Sequence, residues 1–258
     1  MTPSAGVRSV LPAPTRRQFA RWLVAATALG AGILPDRTVR AREAADESDR
    51  PRPQPAGGNG RIIALLRRVA TNLRHSAYSH VTRVDEAAGR YEFDCSGMVA
   101  WVLRRTAPVA LGAVTWRLKR HRPLARDFYR RIAATRSGAS RYGWLRVPQV
   151  ADARCGDVIA WLRPPQLRSP NTGHVAFIVG APGRVPGRPD HYLLRIADAS
   201  RYQHQDDSRR GTGRTGFGFG TILVIADSAT GAPAAYGWVG RRSRWVFPTR
   251  IAIGRPVR

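Results

Sequence analysis

The sequence predicts an α+β domain, with helices in its first half packed on an antiparallel β-sheet built from its second. Three observations carry this. Apolar residues recur at helical spacing between residues 61 and 75 and again from Cys95. Beyond residue 158 the apolar runs become short, β-branched and aromatic, and are bounded by Gly, Pro and Asp, which is how strands are punctuated. The two kinds of segment are segregated rather than alternating, which argues against repeated βαβ units.

The chain opens with an address. Residues 15–20 read Thr-Arg-Arg-Gln-Phe-Ala, and an apolar Ala- and Leu-rich stretch follows from Trp22 to Leu34. A charged region before an apolar one of this length is the pattern of an export signal, and Arg16-Arg17 with Phe19 resembles the twin-arginine type. Ala41 offers a small-residue cleavage point, so residues 1–41 are expected to be a signal peptide and the mature protein to work outside the cytoplasm. No apolar run reaches the ~18 residues of a spanning helix, and no stable membrane anchor is expected after cleavage. Residues 42–60 (REAADESDRPRPQPAGGNG) are charged, rich in Pro and Gly and poor in large apolar groups. Such a stretch buries too little to offset its ordering entropy and reads as a linker. The folded domain is therefore expected over 61–258.

Within it, Ile62, Leu65, Leu66, Val69 and Leu73 mark one amphipathic helix over 61–75. Residues 76–93 look irregular, with Gly89 as a turn residue. Asp94 suits a helix N-cap, and CSGMVAWVLRR then runs helix-compatible to Arg104 and Arg105, with Pro108 as the expected stop. Gly97 permits close approach of another backbone or a substrate. A third, very basic helical stretch is expected over 117–135, broken at Pro123. Strands are expected at Val158–Leu162, His174–Val179, Tyr192–Ala197 and Thr221–Ile225, with a further one between Trp245 and Ile253.

The charge balance is 43 Lys and Arg against 17 Asp and Glu, a net +26, and Lys119 is the single lysine. Such a surface attracts polyanions, among them anionic envelope polymers. No finger of paired cysteines and no aromatic RNA-binding motif accompanies it, so no specific nucleic-acid partner is expected. The two cysteines, Cys95 and Cys155, exclude a disulfide framework and a four-thiolate metal site, and leave open one bridge between them.

Cys95 stands at the first turn of its helix. There the helix dipole and the unpaired amides favour a reactive thiolate, and the same amides can hold the oxyanion formed when a carbonyl is attacked. Asp94, Ser96 and Gly97 share this junction. Further on, Cys155-Gly156-Asp157 turns into an apolar strand, and Gly173-His174-Val175-Ala176-Phe177-Ile178-Val179-Gly180 places a histidine at the start of another. An imidazole at a strand start can serve as base to a thiol at a helix tip.

The order DCSG, then GD before a strand, then GHVAFIVG resembles the NlpC/P60 family of papain-like cysteine peptidases, over roughly residues 61–200. The resemblance implies the papain-like fold, Cys95 as nucleophile and His174 as general base and acid. It implies a polar third residue on the next strand. Here the matching run is Ile196-Ala197-Asp198-Ala199-Ser200, so Asp198 is expected to orient the imidazole, with His191 as the competitor. Tyr78 stands where the family has a tyrosine bordering the oxyanion site. The implied substrate is a peptide of the cell wall, commonly a peptidoglycan stem peptide next to a D-glutamyl residue, cleaved without metal or organic cofactor. Met98 after DCSG, Cys155 before GD, the long basic segment 181–190 and the Gly-rich segment 209–220 depart from the family pattern, and either segment can border the cleft or be a solvated loop. Two other readings stay open: an amidase or acyltransferase acting on another amide, and a non-catalytic envelope-binding domain with Cys95 and Cys155 joined.

Overall fold

The computed structural model describes residues 59–257. The signal peptide expected over 1–41 and the linker expected over 42–60 lie outside the described residues, except that helix α1 already spans Asn59–Asn72. It buries Ile62, Leu65, Leu66 and Val69, the stripe read from the sequence. Among the described residues no helix is long and apolar enough to cross a membrane.

Residues 76–93 are irregular only in part, with the expected turn at Gly89. They contribute to a small sheet of β1 (His75–Ala77), β2 (Arg83–Asp85) and β3 (Arg90–Glu92), with β3 in the middle, parallel to β1 and antiparallel to β2. Strands of three residues are too short to show alternation in the sequence.

Helix α2 spans Cys95–Thr106 and buries every residue from Cys95 to Leu103. Pro108 does not end the helical region. It opens α3 (Pro108–Thr115), at the one helical position where a missing N–H removes no hydrogen bond. The helix expected over 117–135 is realised only as α4 (Ala125–Ala133). Pro123 pushes its predecessor out of the helical region, and residues 117–124 form a non-helical connection.

The remaining strands are β4 (Trp144–Val147), β5 (Val158–Leu162), β6 (Gly173–Ile178), β7 (Gly183–Val185), β8 (Arg188–Ser200), β9 (Gly216–Ala226), β10 (Pro233–Gly237), β11 (Phe247–Pro248) and β12 (Ile251–Pro256). They form a nine-stranded sheet in the order β11-β10-β9-β8-β6-β5-β12-β4, with β7 paired to β8. Every ladder in it is antiparallel. The architecture is thus α+β, and much of the two segments first weighed as loops is strand: 183–185 and 188–190 form a hairpin, and 216–220 begin β9.

Side chains alternate across this sheet. Val158, Ala160, Val175, Phe177, Ala197 and Ala199 pack toward the helices, where α2 lies on β6 and β8 and α4 on β5, β6 and β12. Ile159, Trp161, Ala176, Ile178, Leu194 and Ile196 fill the opposite face, enclosed by a curl that brings β10 against β12. Burial on both faces explains why these strands read as nearly continuous apolar runs.

Candidate active site

The start of α2 is fixed by Asp94. Its backbone is extended (φ −88°, ψ 179°), and its Oδ1 accepts from the Gly97 amide at 2.8 Å and the Ser96 hydroxyl at 2.9 Å. Its Oδ2 accepts from Arg122 at 2.6 Å and lies 3.0 Å from His80 Nδ1. Burial works to raise the Asp94 pKa, but His80, the Gly97 amide, Arg122 and Ser96 together hold it below the ordinary carboxylate value. Gly97 does allow a close approach, by a side chain rather than a backbone: a Cβ there would lie 2.5 Å from Thr82 Oγ1. Asp94, Ser96 and Gly97 therefore hold the helix tip in place. With the Gly97 and Met98 amides committed to Asp94, the first-turn amides left to face an oxyanion are those of Cys95 and Ser96.

His174 is the second residue of β6, after Gly173, whose φ is +142°. A Cβ on Gly173 would sit 1.8 Å from the Trp161 carbonyl oxygen, so only glycine brings the strand in at this angle. The His174 ring packs against Trp161 and Trp238, with centroids 5.0 and 5.1 Å away. Its Nε2 is 2.8 Å from Asp198 Oδ2, and the ring feels the Cys95 side chain from close by. With Nε2 engaged by Asp198, Nδ1 is the nitrogen left for a second partner. Burial works to lower the His174 pKa. The Cys95 charge and the bonds to Asp198 and Cys95 outweigh it and push the ring up to about 9. The structure thus brings the three expected residues, Cys95, His174 and Asp198, into one buried group. His191 is elsewhere: its Nδ1 lies 2.8 Å from Asp190, and it pairs across the ladder with Ile225.

Two residues that the sequence reading missed complete the site. His204 Nε2 is 2.9 Å from Asp198 Oδ2, and its Nδ1 is 3.0 Å from the Trp238 carbonyl. Arg209 donates to Asp198 Oδ1 at 3.0 Å and is itself held by Asp207, at 2.7 Å from its Nη2. Asp198, His204 and Arg209 are all buried. Burial alone would raise the Asp198 pKa; His204, Arg209 and the hydrogen bonds from both imidazoles keep it well below the usual carboxylate range.

The signal for these two residues lay in the pattern Gly216-Phe-Gly218-Phe-Gly220. On β9 a Cβ at Gly218 would meet Arg209 Nε at 2.6 Å, and one at Gly220 would meet His204 Cβ at 2.5 Å. The alternate glycines leave one face of the strand bare, and the segment carrying His204 and Arg209 lies in that space. Gly218→Val is accordingly expected to push Arg209 off Asp198 and to cost about 2–3 kcal/mol, the scale of a lost charged hydrogen bond. Urea unfolding measures it, and an unchanged midpoint would contradict this account of the strand.

His174, Asp198 and His204 are also a grouping that can be considered for a metal ion, their ligand atoms lying within 4.8 Å of one another. Two ligands on one tetrahedral zinc stand about 3.4 Å apart, given bonds near 2.1 Å. Here Asp198 Oδ2 is 2.8 and 2.9 Å from the two imidazoles, which is hydrogen-bond spacing, and Arg209 adds a positive charge to the same carboxylate. The residues fit a hydrogen-bonded network better than a cation cage.

Tyr78 is half-buried near Cys95. Its amide donates to Thr215 Oγ1 at 3.0 Å, and the Arg201 guanidinium lies 5.2 Å from its ring centre. Burial first, then the charges of Cys95 and Asp94, raise the phenol well above its ordinary pKa. It therefore stays a neutral donor near the thiol. Cys155 is a free thiol in the turn before β5, half-exposed, with its pKa raised chiefly by burial. Cys95 is free as well, so the bridge considered between them is not formed. The reason is positional: Cys95 is turned to His174, while Cys155 lies in the field of Arg67 from α1. Comparison with protein-family models, with curated proteins and with solved structures finds no match for this chain.

Proposed function

We propose that this chain is an exported cysteine hydrolase of the papain-like NlpC/P60 type, which cleaves amide bonds in peptidoglycan stem peptides. The observation that carries the reading is the buried grouping of Cys95, at the tip of its helix, with a His174 ring that interacts with it and whose Nε2 is held by Asp198. Sulfur at a helix tip, a base in contact with it and a buried carboxylate behind the base are the parts that thiol-based acyl transfer requires.

The steps follow from the geometry. Below about pH 9 the shared proton rests on His174, and the Cys95 sulfur attacks the amide carbonyl beside the charged ring. The Cys95 and Ser96 amides and the Tyr78 phenol surround the developing oxyanion. His174 then returns the proton to the departing amine, leaving a thioester that water hydrolyses. Asp198 fixes the tautomer that leaves Nδ1 toward sulfur and balances the positive ring. His204 and Arg209 keep Asp198 ionised and in place. The twin-arginine-like segment and the order of the DCSG, GD and GHV motifs support the same reading, and the basic surface suits an anionic envelope.

Because His174 keeps its proton up to about pH 9, the leaving amine can be protonated until then. The turnover rate is expected to fall as pH rises through about 9. A pH–rate profile with its upper limb near the ordinary histidine value of roughly 6.5 would contradict the pairing with sulfur.

The test is digestion of purified peptidoglycan, read by mass spectrometry, with Cys95→Ala as control. Stem-peptide fragments from the wild type alone are expected, and identical digests from both proteins would end the proposal. A wall left intact while a simple amide or acyl substrate is turned over in a Cys95-dependent way would keep the chemistry and move the substrate.

A further inference from the structure

We infer that the face formed by α3 and the loop before β4 docks on an anionic phospholipid surface. The inference does not depend on the proposed chemistry. Helix α3 (PVALGAVT) has no charged side chain. Val109, Gly112 and the C-capping Trp116 follow at i, i+3 and i+7, so they share one face. Val109 is 58% and Trp116 68% exposed, and a side chain at Gly112 would meet nothing within 4 Å. The loop before β4 lies against the start of this helix: a Cβ on Gly143 would come within 2.6 Å of the Ala110 nitrogen. Tyr142 beside it is 56% exposed, with a φ of +51° that non-glycine residues seldom adopt.

Guanidinium groups ring these apolar side chains. Arg117 lies 4.1 Å from the Trp116 ring centre, and Arg141 and Arg131 lie 4.8 and 5.3 Å from that of Tyr142. Arg117 also acts on the Tyr142 phenol, so the two aromatic groups belong to one patch. Residues 104–146 carry twelve Lys and Arg and a single acid, Asp127, which is buried and paired with Arg120.

This composition fits a bilayer surface. Trp and Tyr rings settle at headgroup depth, an aliphatic side chain reaches below them, and arginines meet lipid phosphates. A nucleic acid is the other polyanion to weigh, since its bases stack on aromatic faces. The centre of this patch is Val109 and Gly112, which offer a base no side-chain donor or acceptor. An apolar centre within a basic ring asks for a partner that is apolar beneath an anionic surface.

Hydrogen–deuterium exchange on the full chain tests this with three probes: phosphatidylcholine vesicles, the same vesicles with about 30% phosphatidylglycerol, and single-stranded DNA. Slower exchange over residues 108–117 and 141–144 is expected with the phosphatidylglycerol vesicles alone. The double variant Trp116→Ser, Tyr142→Asn, whose Asn tolerates the left-handed backbone, is expected to bind them about tenfold more weakly at this face. Protection by DNA in place of vesicles would reassign the patch to nucleic acid and overturn the inference. Vesicle binding that leaves these peptides unchanged would overturn it too, since attachment would then run through another part of the chain.

Discussion

His174→Ala is expected to lower amide hydrolysis by roughly 10⁴- to 10⁶-fold, with the loss in kcat rather than in KM. The ring acts twice in the proposed cycle, first holding the proton beside the attacking sulfur and then giving it to the amine, and nothing beside it can take over. Asp198, the nearest ionisable group, is held below the usual carboxylate range and is engaged by His204 and Arg209. Water can enter the space left between Trp161 and Trp238, but it cannot hold a proton for the leaving group near neutral pH. The fold should survive, because Asp198 keeps two of its three partners. Circular dichroism beside single-turnover kinetics checks both halves. A variant that folds and retains more than about a hundredth of the wild-type rate would show that His174 is not the base.

Asp198→Ala is expected to act on stability as strongly as on rate. The carboxylate is the one negative charge between two imidazoles and a guanidinium, all buried. Removing it leaves Asp207 as the one acidic partner of Arg209 and takes the partner from His204 Nε2. Breaking a buried ion pair from one side costs about 3–5 kcal/mol, which lowers the melting temperature of a domain this size by roughly 10 °C. Asp198→Asn separates the two roles. It keeps the volume and one acceptor, so much of the stability should return. An amide can also present its NH₂ to the ring, which selects the wrong tautomer, and activity should stay low by about 10⁴-fold. Differential scanning fluorimetry and kinetics on the pair read this out. Full activity in Asp198→Asn would remove the carboxylate from the mechanism.

The grouping of Cys95, His174 and Asp198 was legible in the sequence because each has its own local cause. Asp94 caps the helix at Cys95, Gly173 allows the entry angle of His174, and Asp198 interrupts an apolar strand where a buried charge needs a partner. His204 and Arg209 were not legible. They lie in an irregular segment, and their place is set by bare space on a different strand, at Gly218 and Gly220. That is a tertiary complementarity no local pattern reports. The alternating glycines were read as a basic, Gly-rich segment, when their period of two was the signature of a strand face kept empty. The same limit governed the helices. Pro108 is a stop by local rule and a first helical residue in fact, because α3 packs its Ala110, Leu111 and Val114 into the core. Arg122, placed inside an expected helix, instead reaches back to Asp94 and Ser96.

The central claim is contact between one sulfur and one imidazole, and selective alkylation reads it most directly. Wild type, His174→Ala and Cys95→Ala are treated briefly with iodoacetamide near neutral pH, and the modified peptides are quantified by mass spectrometry. Cys95 is expected to react at least about tenfold faster than Cys155, and to lose that advantage in His174→Ala, as a thiol does without its base. Equal labelling of the two cysteines in the wild type, or a Cys95 rate indifferent to His174, would contradict the account.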